Sequence, residues 1–290
     1  MGARVGTVET VRAGCWGVTE PTPPAFPAGM NKLVEHASGE AVFGLNVLDK
    51  LVAGLEKAAA VPRTSRSWGP GVLGCAMWMD DPALLEVLGQ MANVCVVVRK
   101  QSRGRWNEED TAPLKTLAAS TGLAQQAFPE LSELAPRRDG APAVVGPFGG
   151  AWDDNVIDAV REVGFRRVGG GNRLVPIVHA KLMLVGELWW HDEHPAGGVE
   201  DIIGFRPTRL WAGSANFTKS SRSSLEMGMW TTDPAMLAAA RSWLLSLVEM
   251  SEPAGAGSDD LAPELLPVEY DEDGIREYLA EAGWFVEEDD

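Results

Sequence analysis

The residues VHAKLMLVG, 178–186, set the expectations for the whole chain. His179 and Lys181 stand one residue apart in an apolar run, and alternate side chains of a β-strand point to the same face. The run therefore predicts a strand that presents an imidazole beside an ammonium group. Such a pair is also compatible with a buried, satisfied histidine, so its interpretation depends on the other motifs of the chain.

Two later stretches supply the remaining groups of a candidate site. WAGSANFTKSS, residues 211–221, places Ser214 and Asn216 at the end of a second apolar run, where backbone and side-chain donors can approach an anion. SLEMGMW, residues 224–230, adds the carboxylate of Glu226 in a third strand-like segment. A nucleophile, a cation, neutral donors and an orienting acid are the groups expected for phosphoryl transfer without a metal.

The order of these motifs carries a family resemblance. H-A-K, then G-S-A-N-F-T, then an acidic residue before an apolar strand resembles the HxK…GSxN signature, or HKD motif, of the phospholipase D superfamily. With the flanking strand and helix pattern, the resemblance extends over roughly residues 70–250. It implies an α/β fold, a phospholipase D-like sandwich in which helices flank a mixed, mostly parallel sheet. Where the family usually has an Asp beyond the Lys, this chain has Gly186 followed by Glu187, a departure that bears on local packing before catalysis.

The resemblance also implies roles for the candidate residues. His179 would be the nucleophile that forms a phosphohistidine, with Glu226 orienting its imidazole. Lys181 and Asn216 would bind the non-bridging phosphate oxygens, and Ser214 would assist them. Neither a metal ion nor a cofactor is implied, because the cation is part of the chain.

The superfamily mechanism also needs a second histidine as general acid, which its members usually take from a second HxK copy. This chain carries a single copy, because His36 in VEHASGE has no Lys two residues later. We therefore expect a homodimer in which two copies of His179 face each other across a twofold axis.

The apolar patterning predicts strands at 72–79 and 94–100, with a helix between them that opens at Asp81 and Pro82. Strand, helix and strand in succession predict a parallel pair. Further helices are predicted at 31–39, 43–60, 111–122, 153–165, 233–251 and 274–283.

Composition and patterning divide the chain into three expected parts. These are an N-terminal arm and helical segment over 1–67, a phospholipase D-like domain over 68–251, and a linker with an acidic C-terminal tail over 252–290. Buried free thiols are expected at Cys75 and Cys95, which lie in apolar runs, and they fit a reducing compartment. With no secretion signal and no apolar run long enough for a membrane span, we expect a cytoplasmic protein without membrane contact.

Charge is distributed unevenly along the chain. The formal net charge is −16, yet residues 99–105 and 161–173 are basic. An acidic total disfavours broad adhesion to nucleic acid, whereas local basic patches still bind a phosphate backbone. Arg173 is placed to line the approach to His179, because the strand of that histidine starts immediately afterwards.

Two other segments contain residues typical of a phosphate-binding or a metal-binding site, but a simpler structural explanation fits each of them better. RRVGGGNR lacks the spacing of a phosphate-binding loop, so a turn before the next strand is the simpler prediction. His191 and His194 flank two acidic residues without a second ligand pair, which is more typical of a solvated loop than of a metal site.

The resemblance implies a metal-independent phosphodiesterase. Short members of that family with one motif and no secretion signal tend to be nucleases, often in genome defence or restriction, so we expect nucleic acid as the substrate, and the local basic segments fit this expectation. Two alternatives stay open. A lipid phosphodiesterase is disfavoured because membrane-binding features are lacking. A non-catalytic phosphate-binding or scaffold subunit would keep the fold and contact a protein partner through the acidic tail.

Overall fold

The computed structural model describes residues 35–62, 64, 66–100, 108–136, 141–146, 156–164, 178–191, 202–254 and 263–283. The strands are β1 (Glu35–Ser38), β2 (Ala41–Gly44), β3 (Ser67–Ala76), β4 (Asn93–Arg99), β5 (Gly122–Ala124), β6 (Leu134–Pro136), β7 (Val144–Val145), β8 (Val156–Asp158), β9 (Val160–Val163), β10 (Leu182–His191), β11 (Ile202–Gly213), β12 (Glu226–Thr231), β13 (Glu252–Pro253), β14 (Leu265–Pro267) and β15 (Glu269–Tyr270). The helices are α1 (Val47–Ala59), α2 (Pro82–Gly89), α3 (Glu108–Ser120), α4 (Pro129–Ser132), α5 (Pro234–Glu249) and α6 (Glu272–Glu281).

An 11-stranded mixed sheet organises the described part of the chain. Its order is β1-β2-β12-β11-β10-β3-β4-β5-β8, with β9 beside β4 and β13 beside β9. From β1 to β3 the neighbouring strands are antiparallel. Parallel pairing in this sheet is confined to β4, which runs parallel to β3, β5 and β9.

The expected α/β architecture, a large mixed sheet flanked by helices, is confirmed. The expectation that the sheet is mostly parallel is wrong, because β10, β11 and β12 follow one another as antiparallel neighbours. Strands that follow each other directly pair antiparallel, whereas a parallel pair needs a crossover such as α2 between β3 and β4.

The predicted strand, helix and strand unit is confirmed in β3, α2 and β4. Asp81 caps α2 by accepting a hydrogen bond from the Leu84 amide at 3.0 Å, and Pro82 occupies the first turn. Most side chains of β3 and β4 are buried, as expected of strands that are covered on both faces.

Two apolar layers lie on opposite faces of the sheet. The first packs α1, α2 and α3 onto it through residues such as Leu51 and Leu88. The second packs α4 and α5 through residues such as Leu244. Successive residues of β10 alternate between the layers, since Met183 belongs to the first and Leu184 to the second.

Two of the predicted helices are wrong. The segment predicted as a helix at 153–165 contains β8 and β9, which pair with β5 and β4. Its β-branched residues favour extended backbone once partner strands are present. The helix predicted at 31–39 is wrong over β1, which forms a hairpin with β2 across a turn where Gly39 has a φ of 59°. The helices predicted at 43–60, 111–122, 233–251 and 274–283 are confirmed as α1, α3, α5 and α6.

The division of the chain at 67/68 and 251/252 stays a prediction, and direct contacts cross both boundaries. β2 pairs with β12, and β13 pairs with β9. Arg161, which is 1% exposed, donates hydrogen bonds to Ser251 Oγ at 2.6 Å and to Glu264 Oε2 at 2.9 Å. The acidic C-terminal segment is therefore attached to the sheet through a buried guanidinium.

The described cysteines, Cys75 and Cys95, are buried free thiols, as predicted, and Cys15 lies outside the described residues.

A separate expectation concerned the membrane. Among the helices that the structure describes, none has the length and apolar character needed to cross a bilayer.

Candidate functional site

The three sequence motifs meet at one edge of the sheet. His179 and Lys181 directly precede β10, and Ser214 directly follows β11. The backbone N–H of Gly213 donates to the carbonyl of Lys181 at 3.2 Å, and the N–H of Ser214 donates to the carbonyl of Met227 at 2.9 Å. The antiparallel register of β10, β11 and β12 therefore brings residues that are distant in sequence to one place.

The histidine and lysine of the first motif contact each other. His179 is exposed, whereas Lys181 is buried, with 5% of its surface exposed. Nζ of Lys181 donates to the carbonyl oxygen of His179 at 2.8 Å and lies 3.2 Å from Nδ1 of the same residue. The imidazole and the ammonium are neighbours, as predicted, but the strand expected from residue 178 begins only at Leu182, so the two side chains contact each other from the irregular segment before β10.

This contact links the protonation states of the two side chains. An ammonium group has no acceptor, so a charged Lys181 requires an unprotonated Nδ1, and a neutral His179 then carries its proton on Nε2. A neutral Lys181 could instead accept from Nδ1–H, which leaves Nε2 free to attack. Burial lowers the pKa of Lys181, and the Glu226 carboxylate opposes that change.

A buried thiol lies directly behind the lysine. Cys75 Sγ donates to the carbonyl of Ala180 at 3.8 Å. Burial raises the pKa of Cys75 to about 12, and the positive charge of Lys181 partly opposes that rise. Cys75 is therefore a neutral packing residue at neutral pH and contributes no nucleophile.

The second and third motifs are joined by the Ser214 side chain. Its hydroxyl donates to the Glu226 carboxylate and accepts from the Met227 amide at 3.0 Å. Glu226 thus contacts Ser214 in the single chain, and no hydrogen bond joins it to His179 within the described residues. The role of Glu226 in orienting the imidazole stays a prediction.

Asn216 lies next to this pair in a well-anchored segment. In the part of the chain that the structure describes, its buried Oδ1 has no hydrogen-bond partner. Buried amide oxygens are nearly always paired, so this side chain has capacity for a ligand group. Its neighbour Phe217 is fully buried and donates its N–H to the Trp78 carbonyl at 3.1 Å.

Other residues named from the sequence are placed elsewhere. Arg173 lies outside the described residues, and so does His194, while His191 ends β10 at the opposite end of the strand from His179. Sequence reasoning missed Arg222, which binds Asp81 across 141 residues of sequence. The cap at Asp81 was visible in the sequence, but no local pattern pointed to its distant partner.

The departure from the family pattern at Gly186 has a packing explanation. This glycine lies inside β10 at a register shift, and a Cβ there would come within 2.5 Å of the Arg206 carbonyl oxygen. It lies five positions after Lys181, which corresponds to about 16 Å along extended chain. An Asp at this position would have no room, and it would lie far from the imidazole.

Comparisons with known proteins concern the fold. No family model matches the chain, and no curated protein matches it. The structure is similar to NucT from Helicobacter pylori, with 12% identity, a TM-score of 0.41, and coverage of 74% of this chain and 98% of that one. It is also similar to a phospholipase D family member, Nuc from Salmonella typhimurium, with 14% identity, a TM-score of 0.39, and coverage of 73% and 95%.

Polyphosphate kinase from Porphyromonas gingivalis is similar over 71% of this chain and 25% of its own length, with 16% identity and a TM-score of 0.38. At these identities the likeness is one of fold alone. The chain is similar to a phospholipase D family member in its fold, and it resembles that family in the order of its motifs.

Proposed function

We propose that this chain is a phosphodiesterase of the phospholipase D type in which His179 attacks phosphorus. One observation carries the proposal: an exposed imidazole lies at a sheet edge with the buried ammonium of Lys181 3.2 Å from its Nδ1. Ser214, Asn216 and Glu226 lie on the elements that meet at the same edge. A nucleophile, a cation and neutral donors are thereby available to one phosphate group.

The proposed reaction has two steps. In the first, His179 with its ring proton on Nδ1 forms a bond from Nε2 to phosphorus while the bond to the leaving oxygen breaks, and a general acid protonates that oxygen. Lys181, Asn216 and Ser214 stabilise the charge that builds on the non-bridging oxygens. In the second step, water attacks phosphorus, loses a proton to the same group and breaks the bond to His179.

The general acid is proposed to come from a second copy of the chain. His36 lies in β1, and three strands (β2, β12 and β11) separate it from β10 in the sheet. His191 lies at the opposite end of β10 from the motif, and His194 falls outside the described residues. A twofold axis that brings two copies of His179 to one phosphate would supply both the nucleophile and the acid.

Nucleic acid is the proposed substrate class. The chain has a net charge of −16, so a polyanion needs local positive charge at the site. Arg99 ends β4 at this edge with its guanidinium 5.9 Å from the centroid of the Trp78 ring, and Lys219, within the stretch 211–221, is exposed. A role in defence or restriction and a cytoplasmic location stay predictions from the sequence.

The proposal is tested by assaying the purified chain, in EDTA, on single-stranded DNA, double-stranded DNA, RNA, phosphatidylcholine vesicles and bis(p-nitrophenyl) phosphate. We expect cleavage of a nucleic acid and of the small diester, and a loss of about 10³-fold or more in kcat for His179→Ala. His191→Ala, the same change at the far end of β10, should retain activity. Cleavage of the vesicles alone would favour the lipid alternative.

A non-catalytic phosphate-binding subunit is the second candidate. The observation that favours it is that four of the polar side chains pair with each other in one chain, since Lys181 contacts His179 and Ser214 contacts Glu226. This candidate predicts that the unaltered chain binds inorganic phosphate but turns over none of the substrates. An acid-labile phosphorylated intermediate, lost in His179→Ala, would exclude it.

A further inference from the structure

The segment that carries Ser214 and Asn216, here called the motif loop, comprises residues 214–225 between β11 and β12. Its two inward apolar residues, Ala215 and Phe217, are fully buried. The polar residues that face the candidate site alternate with these anchors. Ser214 is bonded directly to β12, so it is the position of Asn216 that depends most on what holds the rest of the loop.

The first half of the motif loop is bonded to the segment that leads from β3 to α2. The Phe217 carbonyl accepts from the Asp80 amide at 2.9 Å and from the Asp81 amide at 3.1 Å. The Lys219 amide donates to Asp80 Oδ1 at 2.7 Å. These bonds tie residues 217–219 of the motif loop to the segment after β3, whereas Ser214, at the start of the loop, is bonded to Met227 and Glu226 of β12.

The second half is held by one guanidinium. Arg222 donates from Nε to Asp81 Oδ2 at 2.5 Å and from Nη2 to Asp81 Oδ1 at 2.9 Å, and its Nη1 donates to Asp49 of α1. Asp81 is 0% exposed and also caps α2 through the Leu84 amide. One side chain thus joins the motif loop to two helices of the first apolar layer.

The chemistry of this contact favours a fixed geometry. A two-bonded pair between a guanidinium and a carboxylate restrains both distance and angle more strongly than a single ammonium contact does. The carboxylate is fully buried, so a missing partner would leave a desolvated charge. Loop conformations that separate Arg222 from Asp81 are therefore energetically unfavourable. The pair holds the end of the motif loop in one position.

We propose that Arg222 is a positioning residue for the phosphate site, which fixes the motif loop so that Ser214 and Asn216 meet the same phosphate group as Lys181. This inference rests on the proposed function for its effect on turnover. The described hydrogen bonds of Arg222 go to Asp81 and Asp49 and not to the imidazole. Its loss displaces the groups that stabilise the developing charge, so it lowers kcat more than it raises KM.

The chain offers a matched control for this arginine. Arg241 of α5 binds both oxygens of Glu130 of α4, with Nη2 to Oε2 at 2.9 Å, on the opposite face of the sheet. The side chains of Arg222 and Arg241 are similarly covered, at 26% and 22% exposed. Arg241→Gln therefore removes a second two-bonded arginine–carboxylate pair that does not touch the motif loop, although Glu130 is 44% exposed whereas Asp81 is fully buried.

The experiment compares the unaltered chain with Arg222→Gln, Arg222→Lys and Arg241→Gln on bis(p-nitrophenyl) phosphate. We expect Arg222→Gln to lower kcat about 10- to 100-fold with KM changed less than about threefold, and Arg222→Lys to recover part of the loss. Arg241→Gln should keep kcat. Equal kcat values for Arg222→Gln and the unaltered chain would overturn the proposal, as would an equal loss in Arg241→Gln.

A second variant covers the case in which Arg222→Gln fails to fold. The double change Asp81→Asn/Arg222→Gln keeps an oxygen that can cap α2 and leaves no unpaired buried charge. It should fold and should show the same loss of kcat. A folded double variant with unaltered kcat would overturn the proposal.

Amide hydrogen exchange separates this inference from the proposed function. In Arg222→Gln the amides of Phe217 and Lys219 should exchange at least about tenfold faster than in Arg241→Gln, because their bonds to Trp78 and Asp80 open when the loop moves. This outcome supports the positioning role even if the unaltered chain cleaves no diester. Failure to cleave any diester would contradict the proposed catalytic function but not the positioning role. Unchanged exchange at these amides would refute the positioning role.

Discussion

The ammonium nitrogen of Lys181 lies 3.2 Å from Nδ1 of His179 and 2.8 Å from the carbonyl oxygen of that same histidine. The imidazole is exposed and the ammonium is buried, so the lysine approaches the ring from inside the protein. A charged lysine at this distance donates to Nδ1 and leaves the ring proton on Nε2. An attack by Nε2 needs the other tautomer.

The first prediction follows from this tautomer. In ¹⁵N spectra of histidine-labelled protein near neutral pH, we expect His179 in the Nε2–H form, with its signals assigned from His179→Ala. Inorganic phosphate should compete for the Lys181 ammonium and shift His179 toward the Nδ1–H tautomer. A free protein that already shows Nδ1–H would contradict the pairing.

The second prediction concerns alkaline stability. Burial lowers the pKa of Lys181 below 10.5, its ordinary value, so between the two pKa values the unfolded chain binds more protons than the folded chain. The unfolding free energy contributed by this group therefore rises with pH through that window. In urea titrations from neutral pH to about pH 10.5, Lys181→Met should lack this rise, whereas Lys219→Met, a change at an exposed lysine, should keep it. Parallel curves for the two variants would contradict the burial effect.

Much of the sheet and of the candidate site could be predicted because local signals are strong there. The run around Met183 and the Asp-Pro step at Asp81 encode a strand and a helix start within a few residues. The helix expected at 153–165 failed because extended backbone there depends on pairing with β4 and β5, which are distant in sequence. The link between Arg222 and Asp81 could not be predicted for the same reason, since nothing near either residue encodes the other.

The third prediction tests the glycine at the departure from the family pattern. Gly186→Asp should destabilise the fold by about 3 kcal/mol, because its Cβ would overlap the Arg206 carbonyl and its carboxylate would be buried. Urea unfolding measures the change. Glu187→Asp, beside it on the surface, should stay within about 0.5 kcal/mol. A stable Gly186→Asp variant would show that the strand has room for the Asp after all.

The fourth prediction concerns the two buried thiols, Cys75 and Cys95. Burial raises the pKa values of Cys75 and Cys95 to about 12, so almost no thiolate exists at pH 8. In a Cys15→Ser background, we expect both thiols to stay unreactive toward an aromatic disulfide reagent in native protein and to react fully in guanidinium chloride. Rapid native reaction at Cys75 would mean that the space behind Lys181 is open to solvent.

The fifth prediction distinguishes a site shared by two chains from a site within one. If each phosphate needs two copies of His179, a dimer that contains one His179→Ala subunit is inactive. Equal amounts of unaltered and His179→Ala chain, exchanged through denaturation and refolding, should then show about one quarter of the activity of the unaltered chain at the same total concentration. Independent sites would give about one half.

The control for this mixing experiment is Arg241→Gln in place of His179→Ala, because that change lies away from the motifs and should leave the mixture near full activity. Light scattering on the same samples should show a dimer at every ratio. Activity that falls in direct proportion to the fraction of unaltered chain would mean that one subunit holds a complete site. The general acid would then have to come from a residue of the same chain as the nucleophile.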